Sequence, residues 1–118
     1  MRKIWFVLVP ALMLAAAPAR AETWVRAAAV SAQEAVEVDK DSVAKDGALT
    51  VFDWRLTQSD DVISQMRVDC RQDFTAAQVA IETRQISPVP PPELGEFAAA
   101  TPAPTALPAQ AARFACGK

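Results

Sequence analysis

Histidine is absent from all 118 residues, which removes much of the chemistry open to a small protein. Ser-His-Asp and Cys-His pairs need an imidazole as base, and zinc sites use one more often than any other ligand apart from cysteine. Carboxylates remain. Asp53, Asp69, Asp73 and Glu82 are the acids from which a glycosidase-type pair could be drawn, one protonating a leaving oxygen while the other acts as nucleophile or base. They fall on or beside alternating segments, where charged side chains on a wet strand face are the simpler account. Asp39 and Asp41 have the spacing that opens an EF-hand loop. Val43 then stands at the third ligand position, Ala44 at the glycine position and Thr50 at that of the bidentate glutamate, so no calcium is expected. Gly47, Gly95 and Gly117 are isolated, and no phosphate-cradling loop exists. No catalytic, cofactor-binding or metal-ligating residue is assigned, and the expectation is a protein that is not an enzyme.

Cys70 and Cys116 are the only two cysteines, and their chemistry depends on where the chain resides. Arg2 and Lys3, an apolar run from Ile4 to Ala17, and the small-x-small site Ala19-Arg20-Ala21 read as a secretory signal peptide over residues 1–21. A membrane-spanning helix needs roughly 20 apolar residues, and this run is shorter and carries Pro10. Residues 22–118 are then the mature chain, a single small β-rich domain exported to the periplasm or cell surface of a Gram-negative bacterium, with no stable membrane span after cleavage. In an oxidising compartment an even cysteine count reads as a disulfide, Cys70 to Cys116, rather than two buried thiols. Such a staple suits a domain whose length limits its core.

Three of the 12 basic residues leave with the signal, so nine face 14 acidic side chains, a net of −5. An acidic surface disfavours nucleic acid and anionic lipid, both of which bind basic patches.

Residues 62–70 set the frame for the elements. Val62, Ser64, Met66, Val68 and Cys70 alternate with Ile63, Gln65, Arg67 and Asp69, the period-2 pattern of a half-buried strand. Residues 49–56 alternate likewise, with Thr50, Phe52, Trp54 and Leu56 on one side. The polar residues 58–61, Gln-Ser-Asp-Asp, join the two as an antiparallel hairpin. Upstream, residues 22–30 predict a first strand around Trp24, and residues 33–38 a second of undecided register. The Asp46-Gly47 pair predicts a hairpin turn. Downstream, residues 74–86 predict a further strand, with a helix as competitor over residues 76–82.

Residues 88–108 hold seven of the nine prolines. Lacking ladder donors, this Pro/Ala-rich segment is expected to run over the surface as a linker, or to serve as a ligand for a partner's aromatic groove. A last helix over residues 106–115, capped by Thr105 with Leu107, Ala111 and Phe114 on one side, would carry Cys116 back to the sheet.

The landmarks Trp24, Val38-Asp39-Lys40-Asp41-Ser42-Val43 with Gly47, the strand holding Trp54, Val68-Asp69-Cys70 and Phe114-Ala115-Cys116 resemble those of the surface-adhesin protein E-like family of small exported bacterial proteins. The resemblance covers nearly the whole mature chain and implies an antiparallel sheet, a terminal helix and a disulfide from the Asp-Cys strand to the C-terminus. The chain departs from that pattern in having no tyrosine and in its long Pro-Ala segment.

The expected fold is therefore α+β, mostly β: an antiparallel meander with a short C-terminal helix tied to it by a disulfide. The expected function is that of a non-enzymatic cell-envelope module that binds a protein partner in the envelope or outside the cell, of adhesion type. The alternative is a periplasmic inhibitor or accessory protein presenting residues 58–61 to an envelope enzyme.

Overall fold

The computed structural model describes residues 22–29, 33–88 and 95–118, so the expected signal segment lies outside the described residues. Seven strands form one sheet among these residues: β1 (Trp24–Ala29), β2 (Ala35–Asp39), β3 (Ala44–Asp46), β4 (Leu49–Leu56), β5 (Ile63–Val68), β6 (Ile81–Ser87) and β7 (Ala98–Ala100). One α-helix among the described residues, α1 (Leu107–Ala115), follows. Every pairing is antiparallel, and the order β1-β2-β4-β5-β6-β7 follows the chain, which makes the sheet a meander. β3 also pairs with β4.

β2 and β3 lie end to end along one side of β4, pairing with Trp54 to Leu56 and with Leu49 to Val51 respectively. Between them the chain makes a 3-10 turn at Lys40–Ser42. The gap this leaves in the ladder falls opposite Asp53, whose backbone N–H donates instead to Ser42 Oγ at 2.7 Å. The Ser42 hydroxyl in turn donates to the Asp39 carbonyl at 2.7 Å. One side chain thus replaces a missing strand residue and keeps a buried donor satisfied. β3 turns into β4 through Gly47 and Ala48, and Gly47 has φ 65°, a conformation that glycine adopts without steric cost.

The alternation read from the sequence decides the faces. Val36 and Val38 of β2, Thr50, Phe52 and Trp54 of β4, Met66 and Val68 of β5, and Ile81 of β6 are buried on one side of the sheet. That settles β2's undecided register. Two units cover this inner face. α1 packs on β1, β2 and β4, and its buried residues are Ala109, Ala111 and Ala112, small enough to bring the helix close to the strands. The segment from Cys70 to Ala80 supplies Phe74 and Val79 to the same core. Arg113 Nη2 donates to the Phe74 carbonyl at 3.1 Å and ties the two covers together. The disulfide between Cys70 and Cys116, with Cα atoms 5.4 Å apart, joins the end of β5 to the end of α1.

Four sequence expectations are corrected here. The strand predicted from residue 74 begins only at Ile81. Phe74 and Val79 are five apart, so a strand would point them to opposite faces. Turns between them bury both instead, with Asp73 Oδ1 accepting the Thr75 N–H at 2.8 Å and the Gln72 side chain bracketing Ala80 N and O at 2.8 Å each. The Pro/Ala-rich segment is not linker throughout, since Ala98–Ala100 adds an edge strand to β6. The helix starts at Leu107 with Ala106 as its cap and no side-chain cap bond, so Thr105 does not cap it. Pro108 in the first turn has no N–H to satisfy, which reduces what a capping side chain would gain. Phe114 is exposed rather than inward, because the alanine face occupies the sheet.

α1 ends as expected of a helix followed by glycine. Gly117 has φ 73°, its N–H donates to the Phe114 carbonyl, and that of Lys118 to the Arg113 carbonyl, both at 3.0 Å.

Candidate functional site

The other face of the sheet carries the side chains that alternate with the core, and antiparallel register sets them in cross-strand rows. In the first row Arg26 of β1, Glu37 of β2 and Arg55 of β4 are neighbours. Arg55 Nε donates to Glu37 Oε1 at 2.8 Å, and its guanidinium carbon lies 4.0 Å from the centre of the Trp24 ring. In the second row Asp53, Gln65 and Arg84 stand side by side, and Arg84 donates to Gln65 Oε1 from Nε at 3.0 Å and from Nη2 at 2.7 Å. In the third row come Val51, Arg67, Glu82 and Ala99, with Arg67 Nε donating to Glu82 Oε1 at 2.7 Å.

Phe97, just before β7, crosses these rows. Its ring centre lies 4.1 Å from the Arg67 guanidinium carbon and 4.4 Å from that of Arg84. Each stack is worth roughly 0.5–1 kcal/mol at an exposed site and holds the guanidinium plane in one orientation. The Arg55–Glu37 pair, with both side chains 21 % exposed, is better shielded from water than the Arg71–Asp69 pair at 77 % and 36 %, so its geometry is the more firmly held.

Beside the third row an open cleft of about 330 Å³ lies where β4 begins and β5 ends. Leu49, Ala99 and Ala100 line it together with the buried Val68 and Ile81 of the inner face, and Arg67, Asp69 and Glu82 are its charged groups.

Of the four acids from which a catalytic pair could be drawn, the structure brings Asp69 and Glu82 to this cleft and leaves the others apart. Asp69 is chelated by Arg71, whose Nε donates to Oδ1 at 3.0 Å and whose Nη2 donates to Oδ2 at 2.8 Å. Those side-chain bonds, followed by the Arg71 backbone N–H, hold the Asp69 carboxyl at about 2, below its ordinary 3.8. An acid so readily ionised has no proton to give at neutral pH. The same pairing raises Arg71. Glu82 is engaged by Arg67. Asp73 is a turn residue, and bonds from the Thr75 hydroxyl and N–H lower its carboxyl. Asp53 is buried within β4.

Asp39 and Asp41, which share the spacing of a calcium loop, instead lock β1 in place. Asp39 Oδ1 accepts the N–H of Thr23 and of Asp41 at 3.0 Å each, and Asp41 Oδ2 accepts the Thr23 hydroxyl at 2.7 Å.

Trp24, Arg55, Arg67, Arg84 and Phe97 did not emerge as a group from the sequence. The outward positions of the strand residues follow from the alternation, but nothing local places Phe97 over residues 30 and 13 positions earlier. No protein-family model, curated protein or solved structure matches the chain.

Proposed function

We propose that this chain is a non-enzymatic, exported protein of the cell envelope and works as a small protein-binding module through the outer face of its sheet. The observation that carries the proposal is the fixed set of aromatic–arginine stacks on that face, Trp24 with Arg55 and Phe97 with Arg67 and Arg84. Tryptophan and arginine dominate the energetics of protein interfaces, and side chains already held in one rotamer lose little entropy when a partner docks. The disulfide supports an oxidising compartment. Among the described residues no helix is long and apolar enough to cross a membrane.

The turn that an inhibitor would present, residues 58–61, is short and tight, closed by the Val62 N–H on the Ser59 carbonyl at 2.9 Å. Its residues, Gln-Ser-Asp-Asp, are exposed but include no aromatic or arginine anchor of the kind the outer face holds.

Site-specific photo-cross-linking in a Gram-negative host tests the proposal. A photoreactive residue at Arg26, on the outer face, is expected to capture a discrete envelope or extracellular protein, while one at Gln58 captures none. Capture at Gln58 alone would favour the inhibitor alternative, and capture at neither position would overturn protein binding.

A further inference from the structure

Resting on that proposal, we infer that the Phe97 end of the outer face is a site for an extended acidic peptide segment of the partner. The segment would place an aspartate or glutamate on Arg84 and an apolar side chain two residues away in the adjoining cleft.

The first ground is charge. Arg55 has Glu37, Arg67 has Glu82 and Arg71 has Asp69, but among the described residues Arg84 makes no ion pair. Its polar partner is the neutral Gln65, which takes Nε and Nη2 on a single oxygen. A guanidinium has five N–H donors in a planar fork suited to a carboxylate, so Arg84 retains donors for one. Phe97 keeps that fork from collapsing onto its neighbours, because it stacks on Arg84 and Arg67 together. Arg67 and Arg84 share one ring; Glu82 pairs with Arg67, Asp69 with Arg71, and Asp53 stands beyond Gln65 in the Arg84 row, so among the described residues Arg84 has no direct carboxylate partner.

The second ground is spacing. The cleft is lined by Leu49, Ala99 and Ala100 and reaches Glu82, which precedes Arg84 by two residues on β6. Residues two apart on a strand project to the same side roughly 6.8 Å apart, and an extended peptide laid along β6 repeats that distance. An acid over Arg84 therefore sets its second neighbour beside Glu82, which lines the cleft. A basic segment would meet Arg67 and Arg84 with like charge and is disfavoured.

Selection of random peptides displayed on phage against the purified, disulfide-bonded protein tests this. Recovered peptides are expected to carry Asp or Glu two positions from Leu, Ile, Val or Phe. A synthetic consensus peptide, acetylated and amidated, should bind at least about tenfold more weakly after Glu→Gln in the peptide, and equally so after Arg84→Gln in the protein. Arg84→Lys should fall between, because an ammonium lacks the fork. The peptide substitution keeps the test decisive if an Arg84 variant folds poorly. Binding that needs a free peptide C-terminus, selection without the acid, or indifference to Arg84→Gln would each overturn the inference. Cross-links from Arg26 that survive Arg84→Gln alongside any such result would leave the protein-binding proposal standing, whereas their absence from the wild-type protein would remove both.

Discussion

Asp39 and Thr23 are 16 residues apart, yet the buried Asp39 carboxylate accepts the Thr23 backbone N–H at 3.0 Å and, through the same oxygen, the N–H of Asp41. One side chain therefore caps the 3-10 turn and fixes the start of the edge strand β1. Asp39→Ala is expected to cost about 2 kcal/mol, the sum of a lost cap and a lost charge-assisted bond. Asp39→Asn, whose amide oxygen can still accept, should recover much of it. Urea midpoints of the two variants check this, and equal losses would refute the hydrogen-bonding role.

Ser42 fills the gap between β2 and β3 by accepting the Asp53 N–H. Ser42→Ala leaves that donor buried beside a methyl group, with an expected cost of about 1–3 kcal/mol. Amide exchange read by NMR should show Asp53 losing protection more than Phe52 or Trp54.

The disulfide closes a separation of 46 residues and joins the two ends of the inner layer. Chain entropy alone assigns it about 4 kcal/mol for a loop of that size. Cys70→Ser is expected to lower the melting temperature steeply, since about 1 kcal/mol moves a domain of this size by roughly 4–8 °C. Differential scanning calorimetry with and without reductant provides the comparison, and an unchanged melting temperature would show that the core needs no staple.

Phe97 distinguishes surface stacking from core packing. It is half-buried, and its ring stacks on two arginines. Phe97→Ala is expected to cost about 1–2 kcal/mol, the value of two stacks. Phe52→Ala in the core should cost about 3–5 kcal/mol. Equal losses in chemical denaturation would mean that Phe97 belongs to a second core.

Asp69 makes the low-pH limb of stability testable. Its folded carboxyl, held at about 2 by Arg71, lies below the ordinary 3.8, so the folded state binds its proton less readily than the unfolded chain does. Its stabilising contribution is complete above about pH 4 and is lost as pH falls towards 2. Arg71→Ala should return the Asp69 midpoint towards its ordinary value in a carboxyl-carbon NMR titration. A midpoint unmoved by that substitution would mean that Arg71 is not the cause.

Local periodicity settles what neighbouring residues alone can settle. Alternation across Phe52, Trp54, Met66 and Val68 fixed which side of β4 and β5 faces the core, because successive side chains of a strand must point to opposite sides. Two cysteines in a small chain led to the disulfide. Tertiary structure decided what depends on residues distant in the chain. Phe74 and Val79 are both core residues because the segment holding them folds over the sheet instead of joining it as a strand. Which helix residues face inward followed from how closely α1 must approach β2, which favoured Ala109 and Ala112 over Phe114. The grouping of Phe97 with Arg67 and Arg84 required β7 to pair with β6, an event of chain return that no window of neighbouring residues encodes. Side-chain direction is set within a few residues, whereas the meeting of side chains is set by which strands pair and in what register.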